Sequence, residues 1–185
     1  MRKSQRQITI QASLLEFFFW FAMSTFTSFT VSTLISFGWA QSQAALVMTV
    51  GSLTSLAAQP ILGYIVDRFL TEKKLVLLGL TGAALVILLF PFAITSGSQA
   101  AVFAAVILFN LCGGQMAGFI DAWVVGLKQE YPELNYGLIR GMGSGSFAIS
   151  AILNGRLSVM YGMQLKYYMG SVFFIIAVFV ASRLQ

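Results

Sequence analysis

Histidine is absent from this sequence, and cysteine occurs once, as Cys112. Without histidine the chain supplies no Ser–His hydrolase, no His-ligated metal site and no histidine proton relay. A lone cysteine leaves no disulfide within the chain and no cysteine metal cluster. Charge is scarce as well. Asp, Glu, Lys and Arg make up 9% of the 185 residues, where a soluble domain carries roughly a quarter. No low-complexity tract, linker or soluble domain interrupts the chain.

Apolar residues dominate what is present, at 58% of the chain, with a mean hydropathy of +0.84. A single soluble core does not absorb that much apolar surface, whereas a bilayer does. A spanning helix takes about 20 mostly apolar residues, and six such stretches read roughly as 13–37, 43–66, 75–95, 100–127, 137–160 and 166–184. The expected fold is an all-α membrane bundle of six transmembrane helices, one domain over residues 1–185. Arg2, Lys3 and Arg6 ahead of the first apolar run have the look of a secretion signal. The run from Ser13 to Phe37 exceeds the roughly 7–15 apolar residues of such a signal, so it is read as a retained span.

Basic residues gather at the N-terminus, in the second loop (Arg68, Lys73, Lys74) and in the fourth (Lys128, with Arg140 just beyond). The first and third loops carry no charge. The positive-inside rule then puts both termini in the cytoplasm and the chain in the cytoplasmic membrane. The net charge of +5 is spent on topology rather than on nucleic acid. Trp20 and Trp39 read as interface anchors at opposite ends of the first span. The short loops predict that consecutive helices are antiparallel neighbours.

Asp121 and Arg140 stand inside apolar stretches. At 1.5 Å per residue each lies very roughly 6–10 Å inside its cytoplasmic helix end, on two consecutive helices, so the two are expected to pair. An unpaired charge near the bilayer centre costs about 2.5–3.5 kcal/mol on insertion scales. Gly114, Ala117 and Gly118 precede Asp121 on one face. Gly143, Ser144 and Phe147 follow Arg140 on another. Small residues beside a charge leave room for water or ligand, and an aromatic ring stacks on a sugar. A salt bridge that only holds the hairpin together is the other reading, and both stand here.

Other polar features have plainer readings. Gly137, Gly141 and Gly145, and again Gly114 and Gly118, form GxxxG patterns that predict close helix packing. Ser24, Ser28, Ser32 and Ser36, beside Thr25, Thr27, Thr30 and Thr33, line a polar pathway or pack as small residues. Glu16 is expected to snorkel to the interface. Gln59–Pro60 is expected to kink its helix, and Asn110 and Gln115 must find partners.

Gly63, Asp67, Arg68, Lys73 and Lys74 resemble the loop signature between helices two and three of the major facilitator superfamily, G-x-x-x-D-[RK]-x-G-[RK]-[RK]. Phe69–Leu70 replace the second glycine, and the basic pair comes two residues late. The resemblance implies a gating loop whose acid meets a neighbouring helix end and stabilises one access state.

Within the superfamily the chain is most similar to the lactose permease group of oligosaccharide–proton symporters. Phe19-Trp20, the Ser52 to Gly63 run with Gln59-Pro60, Asp121-Ala122-Trp123, and Tyr136-Gly137-x-x-Arg140-x-x-Gly143-x-x-Ser146-Phe147 carry that resemblance. It implies the N-terminal half of a secondary transporter working by alternating access, with Asp121 accepting sugar hydroxyls and Arg140 donating to them. Phe147 takes the stacking position, with Ser144 on the same face. The acid is one methylene shorter than in that group, and Phe stands where it has Trp, so nucleosides and other small polar solutes stay open. Implied partners are a sugar-like solute, protons, the bilayer, and a C-terminal six-helix half or a second copy. No cofactor, metal or enzymatic activity is implied. A non-transporting membrane subunit or a truncated remnant is the alternative.

Overall fold

The computed structural model describes residues 4–184, which are helical almost throughout and contain no strand. The first apolar stretch forms α1 (Gln5–Thr27) and α2 (Thr30–Ser36), the second α3 (Gln41–Arg68) and the third α4 (Glu72–Thr95). The fourth forms α5 (Gln99–Phe109), a π turn at Asn110–Gly114, and α6 (Met116–Gly126). The last two form α7 (Tyr136–Tyr161) and α8 (Leu165–Arg183). Arg2 and Lys3, used above for topology, lie outside the described residues.

Five helical stretches are long and apolar enough to cross a membrane: Gln5–Ser36, Gln41–Arg68, Glu72–Thr95, Gln99–Gln129 and Leu165–Arg183. α7 forms where a span was expected and is 26 residues long, but it is not among those five. Its glycines and serines, with Arg140, Asn154 and Arg156, dilute its apolar character. Large apolar side chains stand exposed along the helices, among them Leu53 and Leu56 on α3, Leu85 and Leu89 on α4, and Ile175 and Phe179 on α8. Such surfaces suit lipid rather than water.

Two expected spans are broken. The α1–α2 break falls within the hydroxyl-rich segment, and the hydroxyls account for themselves there. Thr25 donates to the Ala22 carbonyl at 2.7 Å, Thr30 to Phe26 at 2.5 Å and Thr33 to Phe29 at 2.7 Å. Such back-bonding offers the backbone an alternative to the regular ladder and bends helices. These hydroxyls, with Ser32 and Ser36, serve their own main chain, while Ser24 and Ser28 face each other at 3.5 Å, so the pathway reading keeps only that pair. In the fourth stretch, Asn110 donates to the Val106 carbonyl at 2.8 Å and accepts from Ser55 Oγ at 2.9 Å. The partner sought for Asn110 is therefore on α3, at the π turn. α3 itself continues as one helix through Pro60.

Packing departs from chain order. α1 lies chiefly along α7 and α8, α4 along α8 and α5, and α3 along α5, whereas α6 and α7 touch only sparsely. Short loops bring helix ends together; they do not decide which surfaces fit along the length. Of the expected glycines Gly114 makes a close approach, a Cβ there lying 2.9 Å from Ser55 Oγ on α3, and the others below lie outside the expected patterns. A Cβ on Gly79 would strike Met116, one on Gly82 would sit 2.7 Å from Cys112 Sγ, and one on Gly170 would strike Thr25. Gly141, Gly145 and Gly118 have open space beside them, and Gly137 meets only Asn135, so the GxxxG row on α7 makes no helix packing. At the centre, rings from four helices meet: Phe26 stacks on Phe109 with centroids 3.9 Å apart and lies 5.1 Å from Phe90. Phe90 in turn lies 5.0 Å from Tyr167. Inside a bilayer, such packing rather than the hydrophobic effect holds helices together.

Candidate functional site

Arg140 stands just over one turn into α7. Asn135 caps that helix, its side-chain oxygen accepting from the Leu138 amide at 3.1 Å, which satisfies a terminal N–H and fixes where the helix starts. Asp121 lies on α6. The expected pair forms, with Arg140 Nε 3.7 Å from Asp121 Oδ1. That separation is an ion pair but too long for a hydrogen bond. Both side chains are about one-third exposed, at 34% and 30%. Asp121 Oδ1 is itself buried and has no hydrogen-bonding partner in the protein.

A second carboxylate joins them. Glu16 Oε2 lies 3.9 Å from Arg140 Nη1, and the Glu16 side chain is 1% exposed. The expectation that Glu16 snorkels is therefore wrong. The reason is the face it occupies: Glu16 points into the α1–α7 contact, where the bare backbone of Gly143 receives it. Trp20, one turn on, is no interface anchor either. The Arg140 guanidinium carbon sits 4.5 Å from its ring centroid, a cation–π geometry. Phe147 meets the same indole edge-on at 6.1 Å.

Gly143 makes this arrangement possible. A Cβ there would lie 2.5 Å from Trp20 Cδ1 and 2.8 Å from Glu16 Oε2. The bare backbone of α7 thus receives both side chains of α1. Glu16 and Trp20 were missed as site residues, although a readable signal existed, and the room expected beside Gly143 is taken by their side chains. Glu16 and Trp20 are spaced by four and share a helix face, and Gly143 lies three residues after Arg140.

The remaining expected residues scatter. Ser144 is exposed on α7, one turn beyond Arg140. Beside the site, a cavity of about 260 Å³ is lined by Gln59, Gly63, Gln115, Gly118, Phe119 and Ala122. Gly118 and Ala122 flank Asp121 in sequence, so polar amides from α3 and the π-turn end face open space next to the charges. Gly63 of the loop signature belongs to this cavity rather than to a turn. Asp67, Arg68 and Lys74 are exposed, and Arg68 covers the Tyr64 ring at 5.2 Å. Lys73, at the start of α4, donates to the Leu184 carbonyl at the end of the neighbouring α8.

The profile of the MFS_1-like family matches residues 9–185. The chain belongs to that family, and so to the major facilitator superfamily. No curated protein matches it in sequence. The family and the apolar helices together make this a transporter-like, multi-pass membrane protein. Glu16 and Asp121 lie on two of the five membrane-capable stretches, where an ionisable residue is costly and pairs with a partner or marks a functional site; Arg140 reaches them from α7.

Proposed function

We propose that this MFS_1-like chain binds a sugar at Asp121 and Arg140 and forms the N-terminal, six-span bundle of a sugar–proton symporter like those of the lactose permease group. The carrying observation is the loose, one-third-exposed pair itself. A carboxylate oxygen without a protein donor and a guanidinium 3.7 Å away leave a gap that a hydroxyl fills, accepting from the cation and donating to the anion. Charge-assisted hydrogen bonds of that kind are the strong ones. Phe147 and Ser144, on the same helix as Arg140, complete the sugar contacts, with the Trp20–Phe147 ring pair as the apolar wall. The Gln59–Gln115 cavity extends the site with amide donors and acceptors.

In this reading α7 is the remaining membrane span, both termini are cytoplasmic, and the protein resides in the cytoplasmic membrane. A second six-helix bundle faces the site, and the two rock about it in alternating access. Gly63, Asp67, Arg68, Lys73 and Lys74 serve as the gating loop. A nucleoside, which also presents ring hydroxyls, is the alternative solute.

One observation favours a second reading. The guanidinium already has an aromatic face, Trp20, and two carboxylates, so the cluster is able to hold α1, α6 and α7 together without a ligand. A non-transporting subunit would have this cluster and bind no sugar. Equilibrium binding of mono- and oligosaccharides to the purified chain in lipid nanodiscs separates the two. Binding lost in Asp121→Asn and Arg140→Lys supports the sugar site, and binding untouched by both removes it.

A further inference from the structure

Charge at the site does not balance. Glu16 and Asp121 are two carboxylates against one guanidinium, so the ionised trio carries −1 at a place where Glu16 is fully enclosed. The two carboxylates stand beside one guanidinium, 3.9 and 3.7 Å from it, so they repel when both are ionised, and a proton on one removes that repulsion. Glu16 Oε2 and Asp121 Oδ1 each lack a hydrogen-bonding partner, and Arg140 stands at 3.9 and 3.7 Å, beyond hydrogen-bond range of both. On α1 itself the Trp20 indole N–H faces Glu16. Asp121 comes from α6, and Arg140 and the Tyr136 phenol come from α7. α8 also packs along α1, but none of its side chains is among the groups acting on Glu16.

From this geometry we infer that Glu16 and Asp121 hold one exchangeable proton between them, beside Arg140, giving this bundle a proton-binding site of its own. Two carboxyls against a single guanidinium, one of them fully enclosed, share a proton because the uncompensated second charge disfavours ionisation of both. Uptake adds H⁺ from hydronium to one carboxylate oxygen, releases water, and takes the trio from −1 to neutral. Release reverses this. Asp121 and Arg140, each about one-third exposed, give the proton its route to solvent, while Gly143 keeps Glu16 and Trp20 seated against α7. The proton site stands on this charge geometry and rests on the transport reading only for its use. There, a sugar that engages Asp121 and Arg140 changes the contacts of the protonated pair, and coupling between the two ligands is reciprocal.

Infrared difference spectroscopy on the purified chain in nanodiscs tests this directly. The other acids, Asp67, Glu72, Glu130 and Glu133, are all exposed, so an enclosed protonated carboxyl has this pair as its source. Wild type at pH 7 is expected to show a protonated-carboxyl band of about one group per chain. The band shifts in D₂O and disappears at alkaline pH. Glu16→Gln and Asp121→Asn, each leaving one carboxylate for one guanidinium, should each abolish it. No such band in wild type at pH 7, a measurement that needs no variant, overturns the inference. A band unchanged in both variants does so too. A band present while sugar binding is absent sinks the transport reading and leaves the proton site. Sugar binding without the band does the reverse.

Discussion

Gly143 of α7 lies directly under Trp20 of α1, so close that a single added methyl carbon would sit 2.5 Å from the indole Cδ1. The same missing side chain admits Glu16, and the guanidinium of Arg140 then covers the Trp20 ring. Gly143→Ala should therefore destabilise the bundle by about 1–3 kcal/mol, the usual cost of overpacking, and weaken any ligand site with it. Gly141→Ala and Gly145→Ala, which meet open space, should be neutral or stabilising by up to about 1 kcal/mol through helix propensity. Thermal unfolding of the three variants in one detergent gives the comparison. Equal effects would mean that the α1–α7 approach is not specific to Gly143.

Trp20→Leu keeps bulk and removes the π face. The expected loss is about 0.5–2 kcal/mol of stability, together with a more mobile Arg140. Arg140→Gln removes the same cation–π contact, so the double variant should lose less than the two singles added. A double-mutant cycle by denaturant or thermal unfolding measures the coupling. Strict additivity would show that ring and guanidinium do not interact.

Lys73 ties the second loop to the last turn of the chain through the Leu184 carbonyl. Lys73→Met should release the end of α8, costing about 1 kcal/mol. Faster hydrogen exchange confined to the last α8 turn is the expected signature. Unchanged exchange there would show that the loop makes no such tie.

The proposed topology has α7 crossing like the five apolar stretches. In a Cys112→Ser background, single cysteines at Asn135 and Gly162 should label from opposite sides of sealed vesicles, and those at Lys74 and Asn135 from the same side. Labelling of Asn135 and Gly162 from one side would leave α7 on the surface and five crossings.

The long apolar runs made the helices readable, because about 20 such residues have few other uses. The breaks were not readable in the same way. Asn110-Leu-Cys-Gly-Gly114 continues an apolar pattern, and only the Ser55–Asn110 bond across to α3 discloses the π turn. The Asp121–Arg140 pair was legible because each residue is an isolated charge at similar depth. Glu16 was not, because its burial depends on which helix covers its face, and α7 does so at Gly143. The small-residue row Gly137, Gly141, Gly145 misled for a related reason. Spacing tells which residues share a face and leaves unsaid which neighbour covers it, and the neighbour α1 meets Gly143 instead.

The central claim is that the Asp121–Arg140 gap takes sugar hydroxyls. Trp20 borders that gap, so its fluorescence reports occupancy. Oligosaccharide titrated into the purified chain in nanodiscs should change the emission saturably in wild type, and Asp121→Asn and Arg140→Lys should each weaken the apparent affinity at least tenfold, about 1.4 kcal/mol. A saturable response of equal affinity in both variants, or no response in wild type to any sugar, would contradict the account.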